Sequence, residues 1–496
     1  MAHQDSSPES PVPTERAEVA LGALDPLKLA AVPTVLGLLA CAGPGILWAA
    51  LAQGSGELIW WPYLTAKYGA AFLGLLIPAA LLQYWVNIEI CRYVVATGEN
   101  PLTGFSRMSR WYAYLIMAGI VIENIWFGAY AVAGGTALGA LTGFPMGFTP
   151  KGQALFWGYL TILIYLLVLI FGKVAYSMVE RISMVVVFTT MVGIIAAVFQ
   201  PKVTAVAPEF WASLLPHFSW PADWDGADLK ILVTCIAYAG AGGFGQLFIG
   251  YWIRDKGFGM GKLIGRVTSP VTGQAEAIPA TGYYFADTPE NKRHFLGWMR
   301  AVHFMNIVGV LLNTLTIILM CWLAWALLMP TGKVPKGYEI AVVQSVFFET
   351  AWGPIGKALF LIVAAAFLCD VWIQLTDGWS RVFADFLYAN FQRPRKKHFR
   401  FWYFVFVGVF TVLTSVTMLM GQPGQLIAIR GVISFLAMGL FCPALIYLNY
   451  HMLARIFPRW IQPHPINRLI MYFVTVCYVG LGLFYLYLVF SGAFEA

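Results

Sequence analysis

Apolar runs of about 20 residues recur along the whole chain, and a run of that length crosses the hydrocarbon core of a bilayer as one helix. Backbone N–H and C=O groups in lipid must bond to each other, which leaves helices or a closed barrel as spanning elements. No alternation of period two is present, so strands are not indicated. Only 11% of the 496 residues are charged and 59% are hydrophobic, against roughly 25% charged in a soluble domain. The fold class that follows is an all-α polytopic membrane protein. Eleven spans are expected, at about 33–66, 70–92, 111–141, 153–172, 177–200, 229–253, 301–329, 353–380, 401–420, 424–450 and 466–491.

The first 23 residues are rich in Ser, Pro and Glu, and residues 1–30 are assigned to a disordered cytoplasmic tail. They lack the basic-then-apolar start of a cleaved signal peptide. Orientation follows from Lys and Arg in alternate connections. Of the 31 such residues, 23 belong to the tail, the even-numbered loops and the span ends beside them. Six belong to the odd-numbered loops: Lys67, Lys151, Lys202, Lys230, Lys333 and Lys336. Lys357 and Arg430 sit in or at spans. The expected location is the plasma (inner) membrane, with the N-terminus cytoplasmic and the C-terminus outside. The basic run RPRKKHFR (Arg393–Arg400) reads as a topology anchor or as a contact for anionic lipid. The seven cysteines fall in apolar spans and read as buried small hydrophobes.

One apolar run is interrupted where it should be most continuous. AQGSGELIWW (Ala52–Trp61) puts two glycines, a serine and a carboxylate into span 1. Span 6 repeats the pattern: Gly54-Ser55-Gly56-Glu57-Leu58 aligns with Gly243-Phe244-Gly245-Gln246-Leu247 as G-x-G-[E/Q]-L. First and sixth are corresponding places in two five-span halves, and paired glycine breaks of this kind mark a midplane substrate site. Unwinding frees carbonyls for a cation and creates a half-helix N-terminus that favours an anion. The alternative is close helix packing through small residues. The expected organisation is a first repeat at 31–200, an extracellular loop at 201–228, a second repeat at 229–450 and an additional helix at 451–496.

These residues resemble the Nramp (natural resistance-associated macrophage protein) divalent-metal transporters, which have a LeuT-type inverted-repeat fold. Gly43–Leu47, GPGIL, is similar to that family's start to the first helix. Eleven residues on, where the family has DPGN, this chain has Gly54-Ser55-Gly56-Glu57. Leu81–Pro101 is similar to the second helix and its TGK-N end, and Glu180 matches the fifth-helix glutamate. The resemblance implies two five-helix repeats with helices 1 and 6 broken. It also implies a metal site, but the ligand positions carry Gly54, Glu57 and Gly243, with Gln246 at the second asparagine. The family's soft thioether and its aspartate are therefore replaced. A histidine position falls on Gly250, and Arg430 takes the place of a metal-facing glutamine.

An ionisable group at mid-bilayer is a functional candidate by default. Glu57 can cap its own helix, or serve as a hard oxygen ligand or proton acceptor. Asp370, Gln374 and Asp377 share one face of span 8 and form either a cation or proton path or a packed network. The resemblance implies a proton-coupling role for Glu123, with Asn124, in span 3, and Glu57 and Asp377 are further candidates for it on their own chemistry. Glu89 is expected to pair with Arg92 one turn away. Arg430 cannot give up its charge, so it pairs with Glu57 or Asp370, or it meets an anionic substrate.

The expected activity is secondary-active transport. The candidate substrate-binding residues are Gly54, Ser55, Glu57, Gly243, Gln246, Asp370, Gln374 and Arg430, with Glu57 and Gln246 as metal ligands. The cargo reads as a divalent metal cation, with a small organic or anionic solute as the alternative. A coupling ion, H⁺ or Na⁺, is implied, and no resident cofactor. The partners are the bilayer and the small cargo, without nucleic acid, and a monomer suffices. No G-x-x-x-x-G-K-[ST] loop or HExxH helix is present, which disfavours an ATP-driven pump or a zinc enzyme.

Overall fold

The computed structural model describes residues 17–491 except 173, 336, 337 and 339, and of residues 55–57, 340 and 341 it describes the backbone alone. Nine helices among these residues are long and apolar enough to cross a membrane. They correspond to spans 2–5 and 7–11. Spans 1 and 6 are the two that fail the length criterion, because each is broken. Span 1 runs as Gly43–Ala52, a wide π-helical stretch Gln53–Trp60, and Trp61–Tyr68. Span 6 runs as Leu229–Ala237, a turn, a tight 3-10 stretch Gly243–Leu247, and Phe248–Lys256. The shared motif thus leaves the α-helix in opposite directions, wider in one repeat and tighter in the other. The fully unwound segment expected in span 1 is instead helical, with its bonds shifted in register, as in the π-bulges common at functional sites.

The other spans are Leu76–Thr97 for span 2, Arg110–Asn124 with Ala129–Thr142 for span 3, Pro150–Phe171 for span 4 and Ala175–Val198 for span 5. The second repeat continues with Pro289–Leu327 as span 7, Val346–Asn390 as span 8, Phe399–Thr417 as span 9 and Pro423–Ile446 as span 10. Span 11 is Pro465–Phe490. Span 7 begins a dozen residues before the apolar run, because Thr288 caps it through the Asn291 N–H at 3.2 Å and the polar first turns stand clear of the lipid stretch. Span 8 bends at Gly353, whose φ of 61° is followed by Pro354.

Packing follows a two-fold rule. Span 1 packs on spans 5 and 7 as span 6 packs on spans 10 and 2, while span 2 meets span 7 and span 3 meets span 8. When n is exchanged with n + 5, the contacts of span 1 map onto those of span 6, and the pairs 2–7 and 3–8 map onto themselves. The apolar core is therefore built twice from one plan. Span 1 approaches span 7 backbone to backbone: a Cβ on Gly45 would lie 2.1 Å from the Met305 carbonyl oxygen.

Of the tail expected at residues 1–30, residues 1–16 lie outside the described residues, and the rest departs from expectation. Glu18–Val19 (β1) pairs antiparallel with Leu27–Leu29 (β2), which pairs parallel with Tyr283–Tyr284 (β3) in the loop after span 6. Residues 17–30 are thus an ordered strap and not a disordered segment. The cause is local: Leu21, Leu24 and Leu27 are buried, and Arg107 donates to the Leu21 and Asp25 carbonyls at 2.9 and 3.0 Å. Glu99 holds Arg107 at 2.7 Å and accepts the Gly282 N–H at 2.7 Å, joining the strap to both repeats.

Burial would raise the Glu99 carboxyl, but the Arg107 guanidinium and the Gly282 N–H outweigh it and hold the group below the usual carboxylate range. The folded state therefore gains from Glu99 above its unfolded value, near 4.3, and loses that gain as pH falls through the lower folded value. Glu99→Gln at neutral pH should imitate the acid state. Cleavage by trypsin at Lys28, inside β2, is expected to accelerate severalfold, and an unchanged rate would show that the strap is held by its leucines alone.

Candidate functional site

Gly242 and Gly243 both adopt left-handed backbone, φ 68° and 54°, which a residue with a side chain rarely does. That double turn ends the first half of span 6 and restarts it at Gly243. Two of the carbonyls it frees are taken by side chains. Gln83 of span 2 donates to the Ala237 carbonyl at 2.7 Å, and Asn313 of span 7 donates to the Ala239 carbonyl at 3.0 Å. The Gln83 side-chain oxygen accepts from Gln246 and from the Gly242 N–H, and Trp48 of span 1 donates to the Gln246 oxygen at 2.7 Å. Gln246, expected as a ligand, is therefore spent on tying span 1 to span 6.

Glu123 and Arg430 meet at the same break, an ion pair of 3.0 Å with both side chains buried. Glu123 also accepts from Ser434 at 2.9 Å and from the Phe244 N–H at 3.3 Å, so it caps the restarting half-helix. Arg430 donates to the hydroxyls of Tyr130 and Tyr238 at 3.1 and 3.2 Å and lies over both rings. Pairing is the outcome for Arg430, but its partner is Glu123, not Asp370. Asp370 projects toward span 5, whereas Glu123 of span 3 faces span 10. Among the described residues the Arg430 Nε has no partner.

The second cluster sits beside the break in span 1. A Cβ on Gly54 would lie 2.1 Å from Val371, so spans 1 and 8 touch here. The residue before Val371 is Asp370, fully buried. It accepts from Ser183 of span 5 at 3.0 Å and from Gln374 at 2.8 Å. Both donors are neutral, and among the described residues the Gln374 side-chain oxygen is unpartnered. Among the described residues no cation pairs with Asp370. Ser55 and Glu57 fall among the side chains outside the description.

The face expected to hold Asp370, Gln374 and Asp377 together is divided between two networks. Asp377 pairs with Arg381 at 2.9 Å and accepts from Tyr403 at 2.6 Å, while Arg381 also bonds Asp255 at the end of span 6. Glu89 pairs with Arg92 at 3.2 Å, as expected, and Glu180 bonds Lys256 at 2.8 Å. Gly250 leaves no room for a histidine, since even a Cβ there would lie 2.6 Å from Asn100 Nδ2. No three His, Cys, Asp or Glu side chains converge on a common point among the described residues. Gln83, Ser183, Tyr130, Tyr238 and Ser434 were missed from sequence. An amide within the apolar run of span 2 was the one available signal for Gln83, while hydroxyls in apolar helices are too common to single out.

Comparison with solved structures places this architecture. The crystal structure of an Eremococcus coleocola manganese transporter, in complex with an aromatic bis-isothiourea substituted compound, matches with a TM-score of 0.60 and 13% identity. The match covers 94% of this chain and 90% of that one. Two mutants of the same transporter match with TM-scores of 0.58 and 0.59 at 12% and 13% identity, each over 90% of this chain and 86% of the other. No protein-family model and no curated protein matches. The likeness is one of fold: the chain has the LeuT-type architecture, with helices 1 and 6 broken.

Proposed function

We propose that this chain is a secondary-active transporter that moves a divalent metal cation across the plasma (inner) membrane, with its N-terminus cytoplasmic. The observation that carries this reading is Asp370. A buried carboxylate without a counter-charge is costly in a bilayer unless it takes up a proton or a cation. Asp370 stands beside the span 1 break, next to the free oxygen of Gln374 and the hydroxyl of Ser183. Oxygen donors without a thioether suit hard ions such as Mg²⁺ or Mn²⁺. Glu57 and backbone carbonyls of the π-helical stretch are the groups proposed to complete the set. Proton coupling is assigned to Glu57, Glu123 and Asp377, the last two released from their arginines in turn.

A second reading has one observation behind it. Arg430 faces the span 6 break between two tyrosine rings, with an Nε that has no partner among the described residues, an arrangement that suits a small carboxylate. Uptake into proteoliposomes separates the two. Loading the purified chain and offering Mn²⁺, Mg²⁺, amino acids and organic acids under an inward proton gradient should give metal accumulation. Accumulation of an organic acid with no metal uptake would replace the first reading by the second.

A further inference from the structure

The basic run Arg393–Arg400 folds into a fixed shape between spans 8 and 9. Arg395 turns inward, pairing with Asp25 at 2.5 Å and donating to the Tyr388 and Ala389 carbonyls at 2.8 and 3.0 Å. Trp402 donates to the Pro394 carbonyl at 2.9 Å. Arg400 is held on the Ser269 and Gly273 carbonyls at 3.0 and 2.8 Å. Lys396 and Lys397 are treated differently. Both are exposed, and among the described residues neither bonds a carboxylate. The Lys397 ammonium rests 5.7 Å above the Phe401 ring.

Lys396, Lys397 and Arg400 rim a groove of about 560 Å³ whose lining includes Pro270, His398, Phe401, Phe404 and Val405. Its floor is apolar and opens onto the outer face of span 9. Phe401, Val405, Val409 and Val412 are all exposed and recur at helical spacing. In a membrane-spanning helix that stripe faces acyl chains. From Phe401 to Val412 it extends about 16 Å at 1.5 Å per residue, about the length of an acyl chain. Positive charge at one end and an apolar track leading from it into the bilayer describe one amphiphile.

We infer that this groove is a binding site for an anionic phospholipid, with the phosphate between Lys396, Lys397 and Arg400 and one acyl chain along span 9. Charge complementarity selects the headgroup, since a zwitterionic lipid brings its own ammonium to the same lysines. Continuity with the lipid-facing stripe selects a lipid over a soluble phosphate.

Native mass spectrometry of the full chain, titrated with phosphatidylglycerol or phosphatidylcholine in detergent, tests this. The unmodified chain should retain one phosphatidylglycerol well above phosphatidylcholine. Lys396→Gln with Lys397→Gln should lower phosphatidylglycerol affinity about tenfold or more and leave phosphatidylcholine unchanged. Val405→Phe narrows the groove with the charges intact and should also weaken retention. Lys292→Gln with Arg293→Gln, on the same basic side, should have no effect. Equal retention of both lipids by the unmodified chain overturns the site, as does full retention by the lysine variant. Full retention by Val405→Phe, with an unchanged melting temperature, also overturns it, because charge alone would then account for the binding.

Discussion

Asp370→Asn is expected to reduce metal uptake at least tenfold while leaving the folded protein as stable as before, or more so. The substitution keeps the size of the side chain and an oxygen for the Ser183 hydroxyl. It removes only a buried negative charge that has neutral partners, so folding loses no ion pair. A tenfold loss corresponds to about 1.4 kcal/mol, and removal of a direct charged ligand should exceed that. The melting temperature in detergent and initial rates in proteoliposomes are the two readouts. Full uptake in the variant would mean that Asp370 is permanently protonated and structural, and the cation site would then have to be sought around Glu57.

Arg430→Gln should have the largest effect on stability. It leaves Glu123 buried without its cation, and breaking one partner out of such a pair costs about 3–5 kcal/mol. The double variant Glu123→Gln with Arg430→Gln should recover most of that loss, because an amide at 123 can still accept from the Phe244 N–H through its oxygen and donate to the Ser434 hydroxyl through its nitrogen. The same pair of variants separates the two cargoes. If the cargo is a metal, the double variant continues to bind it, with coupling to protons altered. If the cargo is a carboxylate held by Arg430, the double variant loses it by about tenfold or more. Equal stability of the single and double variants would show that Glu123 is already neutral beside Arg430.

The eleven spans were legible because bilayer thickness imposes a length that the residues must meet, and both breaks were legible because a G-x-G-[E/Q]-L stretch recurs at corresponding places in the two halves. The strap at residues 17–30 was not. Its three leucines are too few and too far apart to register as a core, and they find burial only against Arg107 and the loop at Tyr283. The division of the span 8 face was hidden for a related reason. Asp370 and Asp377 share a face, but seven residues separate them by about 10.5 Å along the axis, enough to give each its own neighbours.

Sequence by itself determined the class, the span order, the two-fold plan and the positions of the breaks, since each follows from local composition and from a motif that recurs in the two halves. It also determined that Arg430 needs a partner, because its charge cannot be discharged in lipid. Only the tertiary structure decided which carboxylate that partner is, which side chains take up carbonyls at the span 6 break, and which buried acid stands without a cation among the described residues. Those are relations between helices far apart in the chain. Glu123 and Arg430 are 307 residues apart and Ser183 and Asp370 are 187 apart, and nothing local in either segment encodes the rotation that turns one toward the other.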